Sequence, residues 1–448
     1  MFTLALHQKR ILNMMAERPC LGIFAEAGTG KTMIALTWIY DGLMAGRIEN
    51  ALVICPAALI GSWRSAIDKL PMFGYSDFET EIVRDAVTIV SYNSSWVRNK
   101  SFRRLKGTHK YEIRPELNHP WGVIFCDESH RLGDPSSVQT TVVLRMSALS
   151  DYRYVMTGTP HNMRYTKLYG QLKFIEPRLF GDYRDFKRRY VLGEDYFGNP
   201  VKYDVKALES LMHDWGTVAR LRECFDMPSS TETDIPVSMT SEMERTYKDM
   251  LMKNVSDVEF NTAGVGTQKL YQICSGFYYN SAGDTNVLKC GKPEAMTELI
   301  ENRDGKTVVF ALFTQSIIEI CATLTKRGIS YLLFDSSVTD PVWRDFQSNP
   351  DIKVFVTQYQ KGSEGIDLYA ADTMIFYEPT PGAYNLEQSK ARIMRKGQTK
   401  PCMYYYLYAP GSIEEKRMRS VRSGVDESRR LADQWAEEER QKYRLNEK

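Results

Sequence analysis

The run Ala25-Glu26-Ala27-Gly28-Thr29-Gly30-Lys31-Thr32 places two glycines, a lysine and a hydroxyl at the spacing that holds phosphate. Glycines at 28 and 30 let main-chain N–H groups close around anionic oxygens, and a helix opening at the lysine adds the positive end of its dipole. On this reading Ala27, Gly28, Thr29, Gly30, Lys31 and Thr32 bind a nucleotide, ATP. Lys31 reaches the β- and γ-phosphates, and the Thr32 hydroxyl coordinates Mg2+. Far along the chain, Asp127 and Glu128 stand side by side at the end of an apolar run. Burying two adjacent carboxylates is costly unless a cation offsets them. Asp127 is therefore expected to hold Mg2+, directly or through water, and Glu128 to orient and deprotonate the attacking water. His130 reads either as a group coupling hydrolysis to movement or as a hydrogen-bonded surface histidine.

These groups need elements to aim them. The phosphate loop follows the apolar run Leu21–Phe24 and precedes the helix-like stretch Met33–Tyr40. Further β-branched runs lie at Ala51–Cys55, Val87–Val90, Val123–Cys126 and Tyr154–Met156 in the first half. In the second half they lie at Thr307–Phe313, Tyr331–Phe334, Val354–Thr357, Met374–Tyr377 and Met403–Tyr408. Apolar on both faces and alternating with helical patterns, they predict buried parallel strands in two α/β lobes. The lobes are expected over 1–228 and 287–424, with a helical connector over 229–286, where Pro228, Ser229, Ser230, Gly264 and Gly266 break the strand rhythm. The charged stretch 425–448 reads as an exposed helix or a partly disordered tail.

Composition narrows the class. No apolar run is long enough to span a bilayer. The eight cysteines include no C-x-x-C, which argues for reduced thiols in a cytoplasmic setting and against a zinc site or a disulfide framework. A net charge of only +2 means that any polyanion surface must come from local basic clusters. Arg98–Arg114, with Arg103 and Arg104, and Arg184–Arg189 are two such clusters, each taken alone better described as a solvated loop or helix face.

In this order the motifs resemble helicase superfamily two. Leu4, His7 and Gln8 are similar to the adenine-reading motif, with Gln8 on the base edge. Val53-Ile54-Cys55-Pro56 through Trp63, and Ile89-Val90-Ser91-Tyr92, are similar to motifs along the nucleic-acid path. Thr157-Gly158-Thr159-Pro160 resembles the motif coupling the ATP site to lobe movement. Gly362-Ser363-Glu364-Gly365-Ile366-Asp367-Leu368 resembles one that bridges the lobes, which places Gly362, Gly365 and Asp367 at the nucleotide. Gln388 to Gln398 resembles the arginine-finger motif, with Gln388 coupling and Arg392 and Arg395 catalytic; three apart on a helix, the two arginines share a face. Leu168–Tyr190, Leu270–Cys274 and Ser412–Lys416 point within the superfamily to the Swi/Snf-type branch. Two departures stand out: Ala391 replaces the branch's usual aspartate, and the 361–368 segment lacks the usual G-G-x-G-L-N-L.

The resemblance implies two tandem RecA-like lobes with the nucleotide site in the cleft between them, and a compact viral or bacterial monomeric motor. Its implied partner is DNA, duplex or branched, gripped through the backbone near Trp63, Tyr92, Ser94, Arg103, Arg104, Thr357 and Gln358, although the aromatics could equally be core. A strand-separating or branch-migrating helicase is the alternative, and an ATP-switched DNA-binding scaffold a more distant one. Lys31→Ala or Glu128→Gln is expected nearly to abolish nucleic-acid-stimulated phosphate release, and normal turnover in either would remove this reading.

Overall fold

The computed structural model describes residues 4–70, 80–99, 110–161, 164–194, 200–256, 263–280, 283–335, 338, 342–362, 366–380 and 382–422. Arg103, Arg104, Gly365 and the stretch 425–448 lie outside the described residues. The apolar runs of the first half pair as one parallel sheet of six strands: β1 (Cys20–Ala25), β2 (Ala51–Cys55), β3 (Val87–Ser91), β4 (Val123–Asp127), β5 (Tyr152–Met156) and β6 (Gly216–Ala219). Their order is β6-β1-β5-β4-β2-β3. Alternate residues face opposite ways, so one strand feeds two cores. Val53, Phe125 and Tyr154 pack with Ile34, Trp38 and Ile39 of the helix Lys31–Met44 on one face. Ile54, Ile124 and Val155 pack with Leu168, Phe174 and Phe186 on the other.

The second half repeats the scheme with β7 (Ser230–Pro236), β8 (Lys306–Ala311), β9 (Tyr331–Phe334), β10 (Val354–Gln358), β11 (Ala371–Phe376) and β12 (Cys402–Tyr408). The order here is β7-β12-β11-β8-β10-β9, again parallel throughout. Two compact units result, Met1–Asp226 and Met227–Lys448. The eight cysteines are all free.

The expected helical connector over 229–286 is corrected. Its first residues form β7, which pairs with β12 along seven residues from Ser230↔Cys402 to Pro236↔Tyr408. The helices Ser241–Ser256 and Ala263–Cys274 bury Met243, Tyr247, Leu251, Leu270 and Ile273 against Ala409 and Ile413, so this stretch is part of the second unit. Polarity hid the strand. As an edge strand it carries Glu232 and Asp234 outward, where Lys390 and Arg422 pair with them.

Inside the second unit, Lys292 is 1% exposed and its ammonium lies 2.7 Å from Glu414 Oε1. The other Glu414 oxygen accepts the Ala409 N–H at 2.9 Å. Glu378, equally buried, accepts from Leu312 N and the Ser316 hydroxyl. Lys292→Ala strands two buried carboxylates, so it is expected to destabilise the unit by about 3–5 kcal/mol, measured by urea unfolding.

Candidate active site

The phosphate loop spans 26–30, between the last residue of β1 and the first of the helix Lys31–Met44. Gly28 and Gly30 have φ of 85° and 86°, left-handed backbone that disfavours a side chain. At Gly30 a Cβ would also collide with the Gln8 carboxamide. Thr29 is buried, and its hydroxyl donates to the Glu26 carbonyl at 2.7 Å, closing the loop. Lys31 Nζ donates to the Ala25 carbonyl at 2.8 Å and that of Glu26 at 3.4 Å, which folds the ammonium over the loop. Thr32 follows in the first helical turn, and Ala27 lies where a Cβ on Gly158 would come within 3.3 Å of its amide nitrogen. The Thr157–Pro160 segment therefore abuts the phosphate loop through the one residue that lacks a side chain.

Gln8 sits differently from expectation. It is 2% exposed; its Oε1 accepts the Ala5 N–H at 2.9 Å and its Nε2 donates to the Thr29 carbonyl at 3.1 Å. His7 Nε2 lies 2.8 Å from the same carbonyl. One N–H and the carbonyl oxygen of the amide are bonded to protein, so Gln8 braces the loop in this structure.

At the end of β4 the chain turns at Glu128 with φ 48° and ψ 48°, the one non-glycine residue of positive φ among the described residues. That conformation costs an L-residue roughly 1–2 kcal/mol. It brings the Glu128 carboxylate to 3.3 Å from both the Thr157 hydroxyl and His130 Nδ1. His130 Nδ1 also lies 3.1 Å from Thr157 Oγ1, which accepts the Thr159 N–H at 3.2 Å. With a side chain only 10% exposed and set against Glu128, His130 is not a surface histidine.

Asp127 is held from three sides. Its Oδ1 accepts the Glu128 N–H at 2.9 Å, its Oδ2 accepts the Trp63 indole N–H at 2.9 Å, and its main-chain carbonyl accepts the Tyr92 hydroxyl at 2.8 Å. Burial pushes the acid up to about 6, and the Glu128 charge adds to this; Lys31, the indole N–H and the Glu128 N–H pull the other way. Two buried carboxylates beside one lysine fit a bound divalent cation. Among the described residues no group of three or more His, Cys, Asp or Glu side chains is arranged to hold a metal ion. A cation here would therefore rely on Asp127, the Thr32 hydroxyl and oxygens of the nucleotide itself.

Trp63 and Tyr92 are corrected as nucleic-acid contacts: at 1% and 2% exposed they are core, and their polar atoms serve Asp127. Ser94 is exposed, with its hydroxyl 2.8 Å from that of Ser91. One residue escaped the sequence reading. Gln171, fully buried, accepts from the Ser129 hydroxyl at 2.9 Å and donates to the carbonyls of Pro160 at 2.6 Å and Lys167 at 2.9 Å. It thereby ties the carboxylate turn to the Thr157–Pro160 segment. The signal was present as a glutamine within the otherwise apolar face of the helix Leu168–Ile175.

In the second unit the helix carrying Gln388 and Arg392 spans Ala383–Ile393, and Met394 leaves helical geometry with ψ 85°. Arg395 lies beyond it, so the shared helical face is corrected. The two arginines still converge, because their Nη1 atoms reach the Ile366 carbonyl at 3.2 and 3.4 Å. Arg392, 6% exposed, also donates to the Gln388 carbonyl at 2.9 Å and its Oε1 at 3.2 Å. Asp367, expected at the nucleotide, is ion-paired with Arg395. Thr357 is corrected as a nucleic-acid contact, being fully buried with its hydroxyl on the Phe334 carbonyl at 2.7 Å. Gln358 donates to Thr314 Oγ1 at 3.2 Å. A Cβ on Gly362 would overlap Thr357, so close packing accounts for that glycine.

Comparison with known proteins gives a consistent result. The SNF2-related domain family matches residues 7–277, and the helicase conserved C-terminal domain matches 291–397. A RAD54-like DNA repair and recombination protein of Drosophila grimshawi is 24% identical over 455 residues, 87% of this chain and 57% of the relative. The DNA repair and recombination protein RDH54 of Saccharomyces cerevisiae is 24% identical over 454 residues, 87% and 47%. The chain spans about half the length of the curated relatives it matches. A solved structure, the Sulfolobus solfataricus SWI2/SNF2 ATPase core in complex with dsDNA, aligns over 96% of this chain and 92% of its own at 21% identity, with a TM-score of 0.42.

The raised Asp127 acid has a consequence for stability. Above a pH of about 6 the folded chain holds that charge less well than the unfolded chain does, whose ordinary value is 3.8; the penalty fades as pH falls between the two. The stability advantage of Asp127→Asn over wild type, without nucleotide or Mg2+, should thus shrink by about 1 kcal/mol from about pH 7.5 to about pH 5. A pH-independent difference in urea unfolding would contradict the burial assigned to this group.

Proposed function

The chain belongs to the SNF2-related family, with two six-stranded parallel sheets forming its tandem RecA-like lobes, and from that premise we propose that it hydrolyses ATP to ADP and phosphate to move along DNA. The observation that carries the catalytic half is the Glu128 carboxylate, set by a left-handed turn and gripped by Thr157 and His130 beside the phosphate loop. The main-chain amides of 27–32 and Lys31 bind the phosphates. Glu128 orients a water molecule and takes its proton. Asp127 and the Thr32 hydroxyl hold Mg2+, which when bound offsets the charge of the phosphates and of both carboxylates. Arg395 supplies positive charge to the transferring phosphoryl group, and Arg392 braces the segment that carries it.

Coupling falls to the residues bonded to Glu128. A change at the γ-phosphate alters what Glu128 holds; His130 and Thr157 register it, and Gln171 passes it to the helix Leu168–Ile175 through Ser129 and Pro160. The named relatives act in DNA repair and recombination, which supports DNA as the polymer. Contacts to the phosphodiester backbone make binding salt-sensitive and largely independent of sequence. Duplex is the favoured form.

The deciding experiment is phosphate release measured with duplex DNA, single strands, forks, RNA and no polymer, with duplex expected to stimulate most. Equal rates under all five conditions would end the motor reading. Arg395→Ala is expected to keep ATP binding while kcat falls by about a thousandfold or more. Weakened affinity with an unchanged maximal rate would remove the finger assignment.

A further inference from the structure

Strands β4, β2 and β3 are neighbours in one parallel sheet, with Ile54 opposite Cys126 and Cys55 opposite Ser91. The segments that follow them therefore leave the same edge of the sheet side by side. After β2 comes the helix Ile60–Asp68, which exposes Gly61, Ser62 and Arg64 and turns Trp63 inward. After β3 comes the short turn Tyr92–Ser94, which exposes Asn93 and Ser94 and turns Tyr92 inward. After β4 comes the carboxylate turn. Each of the first two segments has a polar outer surface and one buried aromatic whose polar atom ends on Asp127. Trp63 takes the carboxylate and Tyr92 the main-chain carbonyl.

A buried indole or phenol usually finds a hydrogen-bond partner. Main-chain carbonyls are the common choice, and Trp121 makes it here with Leu117. Trp63 instead donates to Oδ2 of Asp127, the carboxylate proposed to hold Mg2+. Partners one step removed from a metal orient its ligand and tune its affinity. Bonds from two separate surface segments to one ligand residue make its orientation depend on where both segments sit.

Resting on the ATPase reading above, we propose that Trp63 and Tyr92 are positioning residues through which DNA contact at these two segments sets the Asp127 carboxylate for Mg2+ and so stimulates hydrolysis. Neither ring touches the polymer. The outer residues of the segments meet it, and the inner aromatics carry the displacement inward.

The test uses the full chain as wild type, Trp63→Phe and Tyr92→Phe, with kcat and KM for ATP measured without DNA and at saturating duplex. Affinity for a fluorescent duplex and the half-saturating Mg2+ concentration are measured in parallel. The ratio of DNA-stimulated to basal kcat should fall by about tenfold or more in Trp63→Phe, with a higher Mg2+ requirement. Tyr92→Phe, which deletes a single hydroxyl and keeps the test open if Trp63→Phe misfolds, should show the same split. Duplex affinity should hold at the wild-type level in both. Equal losses of basal and stimulated kcat would reduce both residues to packing and overturn the proposal, and a loss of duplex affinity would make them direct contacts and overturn it too. A wild-type chain that DNA does not stimulate would instead remove the functional reading itself.

Discussion

Two carboxylates on adjacent residues, both withdrawn from water at one strand end, set the terms for the rest of the first unit. Desolvation disfavours each charge and each disfavours the other. The neighbouring elements supply the offsets: Lys31 from the phosphate loop, an indole N–H from the helix after β2, a hydroxyl from the Thr157 segment, and the N–H of Glu128 itself. Each comes from a different crossover of the sheet, so the site cannot assemble until the parallel strand order has. Parallel order thus matters here less as a shape than as a means of bringing several loop ends to one edge.

The second unit handles buried charge in another way. Its internal ions are already matched, Lys292 against Glu414 and Arg392 against carbonyls and Gln388. Arg395 is the exception in the arginine motif, partly exposed, ion-paired with Asp367 and bonded to the Ile366 carbonyl. A guanidinium whose ion-pair partner is an exposed carboxylate can exchange that partner for a phosphate at modest cost, whereas Arg392 would have to abandon buried bonds. The roles proposed for the two arginines, one reactive and one bracing, follow from this difference in burial.

Much of this was legible in the sequence because the chemistry is local. Glycines, a lysine and a threonine in one loop, or Asp127-Glu128 closing an apolar run, state their surroundings in a few residues. Ten of the twelve sheet strands announced themselves as apolar runs. The other two did not: β6 holds only Gly216-Thr217-Val218-Ala219, with a glycine that makes room for the Phe24 ring, and β7 is an edge strand written in threonine and acid. Side-chain direction was least legible. Trp63, Tyr92 and Thr357, expected at the nucleic acid, turn into the core, because sequence position gives the segment while burial is decided by elements distant along the chain. Gln171 was missed for the same reason, since its partners lie on two other loops.

The left-handed turn at Glu128 also bears on how such a chain can change over generations. Glycine would occupy that backbone without strain, and would remove one of the two buried charges as well. With the base role proposed for Glu128, stability and activity press in opposite directions at a single codon. A copy of this chain released from its task gains stability by giving up this glutamate, so inactive descendants are the more robust ones. The active form persists only while its activity is needed.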